Sequence, residues 1–179
     1  MRRDGEFFFT YTGVQFWPLD PRIEDINIED IAHGLAHTCR WGGHSREFYS
    51  VAQHSAVCAF HAREEHKLVA LMHDAAEAYI GDVKRPLKYA MPNLMEIEHR
   101  IWLLICEKFN LPTIVPHDVK EIDDRALMAE RNAFISYDKS VQWPIDRLGL
   151  SPLPEAYGQA LSPQASKRLF LNWFNSYRK

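Results

Sequence analysis

An adjacent histidine and aspartate, His73 and Asp74, lie inside an otherwise apolar segment that has the periodicity of a helix. Burying an imidazole and a carboxylate without partners costs free energy, because both groups lose their hydrogen bonds to water. The same two groups are ligands that suit a divalent transition metal ion. Glu77 follows His73 by one helical turn, so it returns to the same face and could transfer protons beside an ion. The segment predicts a buried metal site, and the alternative is a buried histidine held by hydrogen bonds alone.

A second histidine lies upstream at the start of a predicted helix. Ser50 and Gln53 have the spacing of a capping box, which predicts that a helix begins beside them. His54 then lies in the first turn, and its neighbours on the same face include Val57 and Cys58. A histidine on a largely apolar face needs a partner. The segment with the histidine–aspartate pair is the next helix along the chain and could supply one.

A further ligand is expected from the sequence VKEIDDRALMAE, whose apolar residues repeat at helical period. Asp123 and Asp124 stand at the edge of its buried stripe, and the pattern alone does not choose between them. An aspartate near the start of a helix can also serve only as a partner of the helix dipole.

Charged and aromatic residues flank these segments. Arg40 and Trp41 precede a glycine pair, and His44 follows that pair, so a role in a pocket and a role in a loop are equally open for His44. Lys84, Arg85 and Lys88 come directly after the metal segment, around Pro86. This basic cluster is either a solvated face or a site that neutralises phosphate.

Composition indicates one compact domain over residues 1–179, with one core. The net charge of −3 argues against a nucleic-acid-binding protein, which needs a basic surface. Cys39, Cys58 and Cys106 are odd in number and lie in apolar contexts, which indicates reduced thiols and a cytoplasmic protein. We find no apolar run long enough to span a bilayer and no signal-peptide pattern, so no membrane partner is expected.

The predicted fold is mainly α, a compact helical bundle with a short N-terminal β-hairpin. The hairpin is expected where Phe7–Tyr11 and Val14–Trp17 flank a turn at Thr12 and Gly13. Asn27, the Asn93–Glu96 box and Ser162 are predicted helix caps. Besides the helix that Asn27 caps, helices are predicted over Val51–Glu65, Lys67–Ile80, Leu94–Phe109, Asp118–Tyr137 and Pro163–Tyr177, with a long loop over Gln142–Leu161.

These motifs together resemble the HD-domain metal-dependent phosphohydrolases, and most of all their small nucleotidases, the YfbR-type 5'-deoxynucleotidases and the phage dATP triphosphohydrolases. The shared pattern is an arginine–tryptophan pair, then V-x-x-H-S, then H-D-A-x-E-x-x-x-G-D, and finally P-x-K. It covers roughly Asp30 to Glu130. The resemblance implies an HD-domain bundle whose divalent ion (Mn, Co, Zn, Fe or Mg) is held by His54, His73, Asp74 and Asp123.

The resemblance also implies roles for the remaining site residues. Glu77 would orient water or transfer its proton, and Asp82 would hold the sugar or a network around Glu77. Trp41 would crowd a ribose 2'-hydroxyl and so favour deoxynucleotides. The phosphate would be bound by Arg40 with Lys84 or Lys88, and Pro86 would lie against the base. His44 is a substrate-binding candidate only because of its position near Arg40 and Trp41.

The expected function is therefore a 5'-deoxynucleotidase that attacks the α-phosphorus of a deoxynucleoside monophosphate. One alternative is a triphosphohydrolase that attacks the same phosphorus of a deoxynucleoside triphosphate. An alternative of another class is an inactive regulator that binds a nucleotide, although retention of Glu77 argues against it. The resemblance further implies a small-molecule nucleotide substrate and a homo-oligomer.

Overall fold

The computed structural model describes residues 3–154 and 159–178 and is mainly helical, with a small two-stranded sheet near the N-terminus. This confirms the predicted mainly α fold class. The helices are α1 (Ile28–His37), α2 (Val51–His61), α3 (Lys67–Met72), α4 (Glu77–Ile80), α5 (Arg85–Lys88), α6 (Pro92–Phe109), α7 (His117–Phe134) and α8 (Pro163–Tyr177). Short 3-10 helices cover Ile23–Asp25, Arg40–Gly43, Glu64–His66 and Pro144–Leu148. Among the described residues, no helix is both long and apolar enough to cross a membrane.

The N-terminal hairpin pairs β1 (Phe8–Phe9) with β2 (Gln15–Phe16) in an antiparallel register. The predicted hairpin is confirmed, although its strands are shorter than the aromatic pattern indicates. The Asp30 side chain accepts hydrogen bonds from the Thr12 backbone N–H at 2.7 Å and from the Thr12 hydroxyl at 2.8 Å. A carboxylate of α1 therefore fixes the turn of the hairpin.

Helix α2 lies at the centre of the bundle and packs against α1, α3, α7 and α8. Helix α1 also packs closely on α4, because a β-carbon at Gly34 would approach the Ala78 carbonyl oxygen to 2.8 Å. The core around α2 consists of fully buried apolar side chains, which include Phe16, Ile31, Leu35, Leu71, Ile101, Ile105, Phe170 and Phe174. The polar side chains of α2 are thereby placed inside the protein.

Three of the predicted caps are present. The side chains of Asn27, Ser50 and Ser162 accept backbone hydrogen bonds at the starts of α1, α2 and α8. The predicted Asn93–Glu96 box is wrong, because α6 begins two residues before the predicted start, at Pro92. Proline suits the first helical position, since its fixed φ is helical and it has no N–H to satisfy.

Helix α2 ends at His61, before the predicted end at Glu65, and α7 ends at Phe134, before the predicted Tyr137. The predicted loop over Gln142–Leu161 contains the 3-10 helix Pro144–Leu148. Residues 155–158 of that loop lie outside the described residues.

The predicted continuous helix over Lys67–Ile80 is wrong in its middle. Helix α3 ends at Met72 and α4 begins at Glu77, and a tight turn with i to i−3 hydrogen bonds joins them. Nδ1 of His73 donates a hydrogen bond to the Ala70 carbonyl oxygen at 2.7 Å. In an uninterrupted α-helix that oxygen would accept from the backbone N–H of Asp74. This competition explains why the helix stops at the histidine–aspartate pair.

Candidate metal centre

The structure brings three of the predicted ligands together from separate elements. His54 comes from α2, His73 from the turn after α3, and Asp123 from α7. Nε2 of His54 lies 3.4 Å from Nε2 of His73 and 3.1 Å from Oδ1 of Asp123. The same Asp123 oxygen lies 3.9 Å from Nε2 of His73. The three side chains therefore converge on one point.

Asp74 also belongs to this group. Its Oδ2 lies 3.3 Å from Nε2 of His73 and 3.6 Å from Nε2 of His54. The same oxygen lies 3.6 Å from Nη1 of Arg40. Asp74 consequently faces both the imidazole pair and the guanidinium.

The hydrogen bonds of the two Nδ1 atoms determine whether the two Nε2 atoms carry a hydrogen or a lone pair. Nδ1 of His54 lies 2.6 Å from Oε1 of Glu130, and Nδ1 of His73 bonds the Ala70 carbonyl. A carboxylate and a carbonyl oxygen accept hydrogen bonds, so both Nδ1 atoms carry the hydrogen. If the imidazoles are neutral, both Nε2 atoms present lone pairs to the same space, an arrangement that either protons or a metal ion would stabilise.

The separations of the donor atoms fit a divalent ion. Two nitrogens that each bind a tetrahedral zinc ion at about 2.0–2.1 Å stand about 3.3–3.4 Å apart. The separation of the two Nε2 atoms, 3.4 Å, agrees with that value. His54, Cys58, His73 and Asp123 each place a donor atom within 4.8 Å of the others, a set that can hold a metal ion.

The electrostatics of the group also favour positive charge. Burial opposes the charged form of His73, but the negative charges of Asp74 and Asp123 outweigh burial and raise the pKa of His73 to about 10. Burial likewise opposes the charged form of Asp123, but hydrogen bonds with both imidazoles hold its pKa well below the ordinary range. The Asp123 carboxylate therefore stays ionised and attracts a cation, whether protons on the imidazoles or a metal ion.

Glu130 is a site residue that the sequence analysis missed. It is fully buried on α7, and its Oε2 accepts a hydrogen bond from Nε of Arg40 at 2.9 Å while its Oε1 bonds His54. Removing one partner of such a buried ion pair typically costs about 3–5 kcal/mol. Glu130 follows Asp123 by two helical turns, and that spacing on one face of α7 is the signal that could have found it.

Glu77 lies buried at the start of α4. Its Oε1 is 3.4 Å from Nζ of Lys88, which donates a shorter bond of 2.8 Å to Glu98. Within the described part of the chain, its other oxygen, Oε2, is buried without a hydrogen-bond partner. Burial raises the pKa of Glu77 well above the ordinary value, and the negative charges of Asp74 and Asp82 add to the effect. A carboxyl group whose pKa is raised in this way is suited to take and return a proton.

Arg40 and Trp41 begin the 3-10 helix Arg40–Gly43. Arg40 is buried, whereas Trp41 is partly exposed and adopts the left-handed conformation with φ of 62°. The Trp41 indole packs edge-on against Trp143, with ring centroids 5.8 Å apart. Lys84 lies against this segment, because a β-carbon at Gly42 would collide with its amino group. The predicted arginine, tryptophan and lysine are therefore grouped beside the donor set.

The structure also places the other predicted residues. Asp82 is near enough to Glu77 to raise its pKa, and Pro86 lies in the first turn of α5. His44 is exposed, and its backbone N–H donates to the Trp41 carbonyl. Of the two candidate aspartates of α7, Asp123 faces the imidazoles.

Arg85 belongs to the basic cluster that the sequence places after the metal segment, together with Lys84 and Lys88. Its guanidinium lies 3.1 Å from Oδ1 of Asp124 and 3.5 Å from Oδ2 of Asp123. Half of the Arg85 side chain is exposed, so it remains open to solvent beside the donor set.

The fold and the donor set define a mainly helical protein that can hold a metal ion. The chain belongs to the family of the uncharacterized protein YfdR of Escherichia coli (strain K12), to which it is 36% identical over 170 residues that cover 94% of each chain. It is also 40% identical over 112 residues to an uncharacterized protein of Rhodobacter capsulatus, with 57% of each chain covered. No family model matches the sequence.

Proposed function

We propose that this protein is a metal-dependent phosphohydrolase of the small HD-domain nucleotidase type, which releases phosphate from deoxynucleoside monophosphates. The observation that carries the proposal is the convergence of the His54 and His73 Nε2 atoms with two aspartates beside the buried Glu77. A structural histidine pair would need no such proton-transfer group next to it.

When bound, a divalent ion would polarise the phosphoryl group and lower the pKa of an adjacent water molecule to near neutrality. His54, His73 and the aspartates Asp74 and Asp123 would hold that ion. Glu77 would take the proton of the attacking water and return it to the leaving sugar oxygen. The products would be a deoxynucleoside and inorganic phosphate.

The cations around the donor set support binding of phosphate. Arg40 is held in place by the buried carboxylate of Glu130, so its guanidinium is oriented before substrate arrives. Lys84 lies beside the same segment, and Lys88 contacts Glu77. Together these groups would offset the charge that develops on phosphate oxygens during the attack.

A second candidate function is removal of triphosphate from a deoxynucleoside triphosphate. The observation that favours it is the half-exposed side chain of Arg85, which lies against Asp123 and Asp124. With Lys84 it would provide positive charge for phosphates beyond the one attacked.

The deciding assay is a panel of deoxynucleoside mono-, di- and triphosphates, each tested with Mn²⁺, Co²⁺, Zn²⁺, Fe²⁺ and Mg²⁺. We expect inorganic phosphate from monophosphates with at least one ion, whereas release of triphosphate would select the second candidate. A purified, metal-loaded protein that binds these nucleotides but hydrolyses none would refute both hydrolytic functions and indicate a regulator.

The sugar preference tests the role of Trp41. If its indole crowds the 2' position, the wild type should prefer deoxynucleotides in kcat/KM, by about tenfold for each 1.4 kcal/mol of misfit of a ribonucleotide. Trp41→Ala should lower the ratio of kcat/KM for the deoxynucleotide to kcat/KM for the ribonucleotide. Trp173→Ala is the matched control, since Trp173 lies on α8 beside Phe60 and Tyr177. An unchanged ratio in Trp41→Ala would assign Trp41 to packing against Trp143 alone.

A further inference from the structure

Cys58 lies inside the donor set, although neither the sequence pattern nor the resemblance assigns it a role. It follows His54 by one turn of α2 and is fully buried. Its Sγ is 3.5 Å from Nε2 of His54 and 4.0 Å from Nδ1. The sulfur is therefore closer to the metal-binding nitrogen of the imidazole than to the nitrogen that bonds Glu130.

Another buried thiol shows how an ordinary core cysteine is accommodated in this protein. Cys106 on α6 lies 3.4 Å from the Pro112 carbonyl oxygen, to which its thiol donates. Cys58 instead lies beside groups that can bind a cation. Its sulfur, the two Nε2 atoms and the Asp123 carboxylate all lie within 4.8 Å of one another. Its surroundings are those of a ligand.

We propose that the sulfur of Cys58 is a direct ligand of the metal ion, together with His54, His73 and Asp123, and that it selects zinc, iron or cobalt over magnesium. This inference rests on the metal centre of the proposed function and adds a ligand that specifies which ion the centre accepts.

The sulfur lies at a suitable distance from Nε2 of His54 but beside the ring. A sulfur at about 2.3 Å and a nitrogen at about 2.1 Å from one tetrahedral ion stand about 3.6 Å apart, and Cys58 Sγ is 3.5 Å from His54 Nε2. Its distance of 4.0 Å from Nδ1 places the sulfur against the face of the imidazole, so the Cys58 side chain turns toward the lone pair of Nε2 when the ion binds. Both side chains project from adjacent turns of one helix, so the backbone already holds this edge of the donor set.

The chemistry of the donors determines the choice of ion. Carboxylate and imidazole ligands alone accept a wide range of divalent ions, whereas thiolate sulfur favours zinc and iron and has little affinity for magnesium. On binding, the Cys58 thiol loses its proton to solvent and the sulfur supplies an electron pair to the ion. Asp74, which also contacts Arg40, remains a ligand, so the sulfur adds to the set and replaces none of its members.

Cobalt(II) is the probe that reports sulfur directly, because a bound thiolate gives a charge-transfer absorption in the near ultraviolet. Metal-free protein should be titrated with cobalt(II) in the absence of nucleotide. We expect one cobalt per chain with a sulfur charge-transfer band. Cys58→Ser should lose that band, and Cys106→Ser, which alters a buried thiol on α6, should keep it.

Zinc affinity provides a second readout. In competition with a chelator, Cys58→Ser should bind zinc at least about tenfold more weakly than Cys106→Ser. Removing a residue that only hydrogen-bonds a metal ligand already weakens metal binding by about tenfold or more, so loss of a ligand itself should cost at least as much. Magnesium binding should be equal in the two variants. Equal zinc affinity in both variants would overturn the proposal.

The wild type alone also tests the inference, in case Cys58→Ser does not fold. X-ray absorption at the zinc edge should show one sulfur neighbour at about 2.3 Å. A zinc-loaded wild type with only nitrogen and oxygen neighbours, or one that binds neither zinc nor cobalt, would overturn it. If sulfur is bound but no nucleotide is hydrolysed, the ligand assignment stands and the proposed function fails.

Discussion

His73→Ala should retain almost none of the nucleotide hydrolysis of the wild type. The variant removes one of the two Nε2 donors that lie 3.4 Å apart, so the ion should bind much more weakly. A bound ion contributes several kcal/mol to stabilising the transition state, so its loss should slow turnover by about 10³-fold or more. Exhaustive chelation of the wild type should have the same effect, and restoring the ion should reverse it.

The measurement is turnover together with the metal content of each variant by elemental analysis. His66→Ala is the matched control, because His66 also pairs with an aspartate of α7 but lies outside the donor set. Its partner is Asp118, more than one helical turn before Asp123. The control should keep about one ion per chain and its activity. Full activity of the wild type in excess chelator, with no metal detected, would refute a metal-dependent reaction.

Glu77→Gln and Glu77→Ala should lower turnover by about 10²-fold or more while leaving metal content unchanged, which is the usual scale for loss of a proton-transfer group. Glutamine has nearly the same shape as glutamate but cannot accept the proton of the attacking water. The loss should therefore appear in kcat rather than in substrate binding.

The pH dependence of the rate tests the same role of Glu77. Burial and the nearby acidic groups raise the pKa of Glu77, and a general base must be deprotonated. The rate of the wild type should fall as pH decreases through that raised pKa, and Glu77→Gln should lack this fall. Glu98→Gln is the matched control, because Glu98 also bonds Lys88. Equal losses in Glu98→Gln and Glu77→Gln would show that both act only by placing Lys88.

Features set by short-range chemistry could be predicted from the sequence. Asn27, Ser50 and Ser162 each cap the backbone a few residues away, so a local pattern is enough to identify them. The hairpin and the helical period of α7 are local in the same sense. The Asn93 cap was wrong because Pro92 is an equally local signal with a stronger effect on where a helix begins.

Features that depend on tertiary contacts could not be predicted in this way. The interruption after Met72 depends on a side chain of His73 that takes a backbone acceptor. Glu130 resembles any charged residue of a long helix until α2 and Arg40 enclose it. The approach of Cys58 to the donor set becomes visible only when α3 and α7 lie against α2.

The shared carboxylate of Glu130 makes the two halves of the site respond to each other. One of its oxygens orients His54 and the other orients Arg40, so neither side chain can shift without disturbing the other. An anion that draws Arg40 forward changes the hydrogen bond that sets the basicity of the imidazole. Linkage is reciprocal, so a cation bound at His54 changes the affinity of Arg40 for an anion by the same factor. Binding of a cation at His54 and of an anion at Arg40 should therefore be cooperative, and Glu130 on α7 couples the two sites.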